Sequence, residues 1–321
     1  MMRAAVYERY GPPEVVSLRE VPTPRPAKGE VLVRVRATAV TVADARVRAA
    51  RFPRGLGLFA RLAFGIIQPR KHVLGSCVSG VVEAVGPGVS ELAVGDEVCG
   101  MAGVGMGTHA EFAVVSARRL VRKPSGVSHE DAAGVLFGGT TAWQFLHVKA
   151  SVDRGDRVLV VGASGAVGTN AVQLAALAGA SVTAVTSSAN ADLARRLGAT
   201  EVIDYSTTDL YSLSDRFDLV VDTVGTLTKA TGRRLLVPGG LLLLVAGDLM
   251  GLIGSMTARD VRGGAAAEDP ADMARLLDLV ANGSLQVPLD QVLPMDDIVA
   301  AHRRVDSGRK VGNIVVRPHE R

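Results

Sequence analysis

The groups in this chain best suited to chemistry are backbone groups rather than side chains. They lie in Arg157-Val158-Leu159-Val160-Val161-Gly162-Ala163-Ser164-Gly165-Ala166-Val167-Gly168, followed by Thr169-Asn170-Ala171-Val172-Gln173-Leu174-Ala175. A valine-rich apolar run breaks into a glycine-rich corner, and a helix-period segment follows at once. That is the pattern of a buried parallel strand, a tight turn and a crossover helix. The corner fits G-x-G-x-x-G, with Ala163 in the first place and Gly165 and Gly168 in the others. A helix N-terminus carries unpaired N–H groups and a partial positive charge, so a pyrophosphate binds there when no Cβ blocks it. Gly162, Ala163, Ser164, Gly165, Ala166, Val167 and Gly168 are therefore expected to hold a dinucleotide.

The next strand indicates which dinucleotide. An NAD site places an Asp or Glu about 20 residues past the glycines to accept from the ribose 2′-OH. Here the strand ends Val185-Thr186-Ser187-Ser188-Ala189-Asn190, and no carboxylate follows until Asp192, on the next helix. Small hydroxyl residues leave room for a 2′-phosphate and can donate to it, whereas an acid would repel it. NADP(H) is expected over NAD(H), with Thr186, Ser187 and Ser188 around the phosphate. The plainer reading is a polar turn with an N-cap serine.

Other reactive side chains are sparse. Cys77 and Cys99 are the only cysteines and could form one bridge at most, so a reduced, cytoplasmic setting explains them as well. His72, His129, His147 and His302 have no partner acid at useful spacing. The 36 basic and 32 acidic residues nearly balance, which argues against nucleic acid as the main partner. The N-terminus meets charge too early for a signal peptide, and the longest apolar run, Leu241 to Gly247, is far too short for a membrane span.

These groups need elements to position them. With 321 residues and 48% apolar side chains the chain suits about two domains. The first third reads as short strands, Arg3–Tyr7, Val15–Leu18, Glu30–Thr38, Val78–Val85, Asp96–Cys99 and Ala110–Val115, separated by Gly/Pro turns. That argues for a small barrel or open β domain. Residues 51–69 interrupt it with an apolar, proline-bounded stretch, readable as a helical excursion packed on the β domain, a cover over an apolar cleft, or a membrane contact. From Ser128 helices and strands alternate. Helices are expected at Glu130–Phe137, Thr141–Ala150, Thr169–Ala178 and Ala191–Leu197, and strands at Val158–Ala163, Ser181–Thr186, Val202–Asp204, Leu219–Asp222 and Leu241–Ala246. This βαβ order predicts an α/β chain with a doubly wound parallel Rossmann sheet. The tail adds two helices and a strand.

Taken in order, Tyr10-Gly11-Pro12-Pro13, Leu74-Gly75, Val78 to Gly86, Val94 to Val98, Thr140-Thr141-Ala142, Gly162 to Gly168, Leu197 to Tyr205, Pro238-Gly239-Gly240 and Gly312 to Val316 carry a resemblance over nearly the whole chain. The sequence resembles the medium-chain dehydrogenase/reductase superfamily, in its zinc-less quinone-oxidoreductase-like branch. The resemblance implies a GroES-like domain at 1–124, completed by 285–321, and a Rossmann domain at 125–284. It implies Tyr205 near the 2′-phosphate, Val224 and Gly225 beside adenine and ribose, and Val245, Ala246 and Gly247 at the nicotinamide amide. Thr141 would lie beneath the ring and Asn313 would face the cleft. It also implies a homodimer.

Zinc-using members carry ligands at positions that match Thr41, Ser76-Cys77 and Phe137 here, and their relay hydroxyl falls on Ala43. One cysteine cannot make a zinc site, so no metal is expected. Without a Lewis acid the workable hydride acceptors are those that delocalise charge, quinones and α,β-unsaturated carbonyls. The expected function is thus NADPH-dependent reduction of a small apolar quinone or enone. Thr41 and Asp44 are candidate donors to the developing enolate, each also readable as structural. The alternatives are a non-catalytic NADPH-binding or sensing protein and an NADP-dependent alcohol dehydrogenase.

Overall fold

The computed structural model describes residues 1–52, 57–246 and 258–319. Its core is a six-stranded, wholly parallel sheet. From edge to edge the strands are Glu201–Asp204, Ser181–Thr186, Arg157–Val161, Phe217–Asp222, Leu236–Leu244 and Val261–Arg262. Numbered along the chain, that is the order 3-2-1-4-5-6 of a doubly wound dinucleotide-binding sheet. Val158, Leu159 and Val160 are completely buried, which is why this strand reads as a continuous apolar run rather than an alternating one.

A seven-stranded sheet holds the first third of the chain together with its end. Leu289–Pro294, Asn313–Arg317, Glu30–Val40, Cys77–Val85, Glu97–Met101 and Leu120–Arg122 pair in that order, and Phe112–Ser116 pairs with Glu30–Val40. The last strand of the sequence thus lies against one of the first: Val315 is opposite Ala39. A separate two-stranded ribbon joins Met2–Tyr7 to Val16–Val21.

The segment from 129 to 150 departs from expectation. Instead of two helices it forms one, His129–Trp143, which runs on into a π-helical turn over Gln144–Ala150. Gly138 and Gly139, which lie between the two expected helices, serve as a packing surface. A Cβ on Gly138 would collide with the Ala166 carbonyl, and one on Gly139 would press Val135 at 3.0 Å and Leu276 at 3.1 Å. The glycines let the glycine-corner helix, Ala166–Leu177, come close. Ser128 caps the N-terminus by accepting from Asp131 N at 3.0 Å.

The interruption at 51–69 contains a helix, Gly57–Phe64, and is tied to the β-rich part of the molecule. Phe64 stacks on Phe52 with centroids 6.0 Å apart, and the Tyr10 hydroxyl donates to the Gly65 carbonyl at 2.7 Å. Residues 53–56 lie outside the described residues. Among the described residues no helix is long and apolar enough to cross a membrane.

Candidate active site

The two sheets enclose a cleft of about 870 Å³. The glycine corner is part of its wall. Gly162 takes φ 81°, and a side chain there would strike Val224. A Cβ on Gly168 would strike the Gly162 carbonyl, so this glycine allows helix and turn to pack. Gly165 differs: its Cβ would meet only the Gly162 oxygen, at 3.5 Å, and otherwise open space. It is the N-cap of Ala166–Leu177 and supplies no side-chain cap. The first helical N–H groups therefore face the cleft with the positive end of the helix dipole behind them. A pyrophosphate fits there without displacing a protein group.

Most of the residues singled out above converge on this cleft. Thr41, Thr141, Gly162, Ser164, Gly165, Ala166, Val167, Thr186, Tyr205, Val224, Val245, Ala246 and Asn313 all line it. Ala163 and Gly168 do not; they are packed behind the turn. Gly225 also stands off the lining, as one of three loop residues whose N–H groups are held by the buried Asp222. Val224 N and Gly225 N donate to Asp222 Oδ1 at 3.0 and 2.8 Å, and Leu227 N to Oδ2 at 2.7 Å. Gly247 lies outside the described residues. None of the described residues of 51–69 is among those that line the cleft.

The hydroxyl cluster is less open than its sequence suggested. Thr186 is on the cleft wall, but its Oγ1 is buried without a partner among the described residues. Ser187 and Ser188 sit beside the cleft rather than in it. Ser188 N donates to the Asp204 carboxylate at 2.9 Å. An acid missing from the second strand thus arrives from the third.

The candidate donors need correction. Asp44 is completely buried and does not reach the mouth of the cleft. Its oxygens accept from Thr41 N at 2.8 Å, Thr41 Oγ1 at 2.6 Å and Gly75 N at 3.1 Å. With Asp44 N donating back to Thr41 Oγ1 at 3.3 Å, this is a capping box on the helix Val42–Arg48. Thr41 lines the cleft, but its proton is committed to Asp44.

Several cleft residues were not singled out from the sequence. Arg46 stands one turn beyond Val42, half-buried on the wall, with no acid partner among the described residues. Burial holds its guanidinium below the ordinary arginine value. Lys310 lines the cleft beside the glycine corner, where Gly312 N donates to the Ser164 carbonyl at 2.8 Å. The Lys310 ammonium donates to the Gly312 carbonyl, and burial lowers it to about 8 despite the nearby Asp290. Met101, Phe137 and Phe145 add apolar side chains to the lining, with the Thr141 hydroxyl bonded to the Phe137 carbonyl. A cation on an exposed-looking helix and a lysine in a terminal loop carry no spacing signal.

The histidines show what spacing hides. His129 Nδ1 lies 2.8 Å from Ser79 Oγ and its Nε2 lies 3.2 Å from Glu97 Oε1. This resembles a hydrolase triad in outline, but Ser79 is completely buried and outside the cleft, so no substrate reaches it. His109 is buried against His302, with ring centroids 5.7 Å apart, and meets the Ala39 carbonyl at 3.1 Å. Packing is its role. Cys77 and Cys99 are buried free thiols, both raised by burial. Among the described residues no three His, Cys, Asp or Glu side chains converge on a metal-sized site.

Comparison with known proteins agrees with this architecture. Residues 27–125 match an alcohol dehydrogenase GroES-like domain, and residues 197–316 match a zinc-binding dehydrogenase domain. A quinone oxidoreductase of Pseudomonas aeruginosa is 30% identical, over 99% of this chain and 100% of its own. A 2-methylene-furan-3-one reductase of Solanum lycopersicum is 31% identical, over 99% of this chain and 79% of its own. The solved quinone oxidoreductase from Coxiella burnetii superimposes with a TM-score of 0.90 at 27% identity, covering 99% of each chain. The chain belongs to the medium-chain dehydrogenase/reductase superfamily of oxidoreductases, in its quinone-oxidoreductase-like branch.

Proposed function

We propose that this protein reduces quinones or α,β-unsaturated carbonyls with NADPH and without a metal. The observation that carries the reading is the uncapped helix start at Gly165, open to a cleft whose lining includes Met101, Phe137 and Phe145. The corner from Gly162 to Val167 would hold the pyrophosphate, with Gly168 and Ala163 shaping the turn behind it. Tyr205 and Val224 would border the adenosine, and Thr141, Val245 and Ala246 the nicotinamide, with Asn313 on the same wall. When bound, the nicotinamide supplies the hydride.

The chain's own contribution is placement and charge. Met101, Phe137 and Phe145 exclude water from the reacting face and favour a flat, apolar acceptor. Thr141 donates its hydroxyl to the Phe137 carbonyl at 2.7 Å, so it offers a ring its methyl group and not its proton. Arg46 is a cation on this wall with no acid partner among the described residues, and it would stabilise negative charge developing on the acceptor oxygen. Orientation supplies the rest.

Zinc does not fit the residues present. Where metal-using relatives have donors, this chain has Thr41, whose hydroxyl is given to Asp44, and Ser76 and Phe137. Cys77 is sealed and its thiol is raised by burial, which opposes the thiolate a metal needs.

Sheet membership supports a division into 1–124 with 285–321 and 125–284. Among the described residues nothing pairs with the outer side of the edge strand Val261–Arg262, which favours a homodimer formed through that edge. Two free cysteines suit a cytoplasmic protein. The test is NADPH oxidation, followed by absorbance, against a panel of quinones and enones. Turnover with several acceptors is expected from metal-free enzyme. Tight NADPH binding with no acceptor reduced would sink the reading, and stoichiometric zinc in active enzyme would sink its metal-free part.

A further inference from the structure

The carboxylate of Asp204 is bonded to the turn after the second strand, where the sequence has no acid, just outside the residues that line the cleft. Asp204 ends the outermost strand, opposite Thr186 in register, and its neighbours Thr186 and Tyr205 both line the cleft. Its Oδ2 accepts from Ser188 N at 2.9 Å, while Oδ1 accepts from Ser206 N at 2.8 Å and Ser206 Oγ at 2.7 Å. Those bonds, the one from the Ser206 hydroxyl first, hold the carboxyl below the usual carboxylate range, so it is anionic at neutral pH. Among the described residues no Lys or Arg pairs with it. The turn that a 2′-phosphate would approach therefore carries an uncompensated negative charge. One of its backbone donors, Ser188 N–H, is already taken.

We infer that Asp204 is a specificity-determining residue that narrows the preference for NADPH over NADH. The inference rests on the proposed function, in which Tyr205 and Val224 border the adenosine, and it puts the ribose 2′-oxygen at the turn that joins Thr186 to Ser188. Two effects act in one direction. The carboxylate repels a phosphate placed on the ribose 2′-oxygen. Its Oδ2 has one bond from Ser188 and a second accepting site, which suits the free 2′-OH of NADH. This is the acid of an NAD site supplied by the third strand instead of the second.

The experiment compares wild type with Asp204→Asn and Asp204→Glu. Fluorescence titration gives Kd for NADPH and NADH, and kcat/KM with one quinone gives the functional ratio. Asp204→Asn keeps an acceptor for Ser188 and Ser206 and removes the charge. It is expected to tighten NADPH about tenfold and weaken NADH about threefold, while Asp204→Glu keeps the wild-type ratio. If Asp204→Asn folds with an unchanged melting temperature and leaves the NADPH-to-NADH ratio unchanged, the inference fails. If Asp204→Asn does not fold, a wild-type ratio in Asp204→Ser overturns it equally. Wild-type protein that binds neither dinucleotide would instead overturn the proposed function on which the inference rests.

Discussion

The Thr41 hydroxyl donates to the Asp44 carboxylate at 2.6 Å, and both residues belong to the cap of one short helix. The pair looks like catalytic machinery in sequence, a hydroxyl and an acid beside an active cleft. Its geometry assigns the proton inward. Asp44→Ala leaves Thr41 N and Gly75 N without their buried acceptor, and it should destabilise the protein by about 2–4 kcal/mol. Thr41→Val loses the hydroxyl's bond to Asp44 Oδ2 and the cap bond from Asp44 N, or about 1–2 kcal/mol together. Calorimetry should show lowered melting temperatures in that order. At a temperature where both variants are folded, kcat should fall less than about fivefold. A normal melting temperature with kcat down a hundredfold would make the pair catalytic after all.

Two glycines of the same corner should fail in opposite ways. Gly165 has room for a Cβ, so Gly165→Ala should fold with a nearly unchanged melting temperature. The added methyl stands where the pyrophosphate must approach, and dinucleotide affinity should fall at least about tenfold. Gly168 has no room, because a Cβ there strikes the Gly162 carbonyl. Gly168→Ala should cost roughly 1–3 kcal/mol of stability through overpacking. Equal losses of affinity and stability in both variants would contradict this division of labour.

The parts that were legible in the sequence were those written in local pattern. Val158 to Val161 announced a strand buried on both faces, and the strand–glycine–helix order announced the parallel sheet. Val224 and Val245, which the resemblance and not the local pattern put at the cofactor, both line the cleft. Contacts across the fold could be read from neither. Asp204 meets Ser188 only because two strands lie in parallel register, and Glu97 meets His129 only across the joint between helix and sheet. The single helix through Gly138 and Gly139 could not be foreseen for a related reason. A helix stop and a close helix–helix approach ask for the same residue, and only the neighbour, here Ala166, tells them apart.

That joint makes a prediction about acid sensitivity. Ser79 Oγ donates to Nδ1 of a neutral His129, whose Nε2–H donates to Glu97; this tautomer satisfies both contacts. Burial first, and Lys123 second, lower the His129 pKa. A lowered folded-state value means that the unfolded chain takes up the proton first. Stability is then fully present above about pH 6.5 and is lost as pH falls toward the folded value. His129→Gln should make melting temperature less steep between about pH 6.5 and 5, at a lower starting stability. Parallel curves for wild type and variant would remove His129 from the account.

Lys310 gives the cofactor site its own pH dependence. Its ammonium is buried beside the glycine corner, and burial brings its pKa to about 8. Below that value the cleft holds a cation next to the place proposed for the pyrophosphate; above it the same group is a neutral amine. A bound pyrophosphate favours the charged form, so binding should draw a proton onto Lys310 and weaken as pH rises through about 8. Titrations of NADPH from pH 6.5 to 9.5 should show the loss. Lys310→Met should bind about tenfold more weakly at pH 7 and lose most of the dependence on pH. In calorimetry at pH 8 in buffers of different ionisation enthalpy, wild type should take up a fraction of a proton and the variant none. If Lys310→Met binds NADPH as tightly as wild type at pH 7, the lysine serves only to hold the Gly312 carbonyl, and the cleft's charge must come from Arg46 and the helix terminus alone.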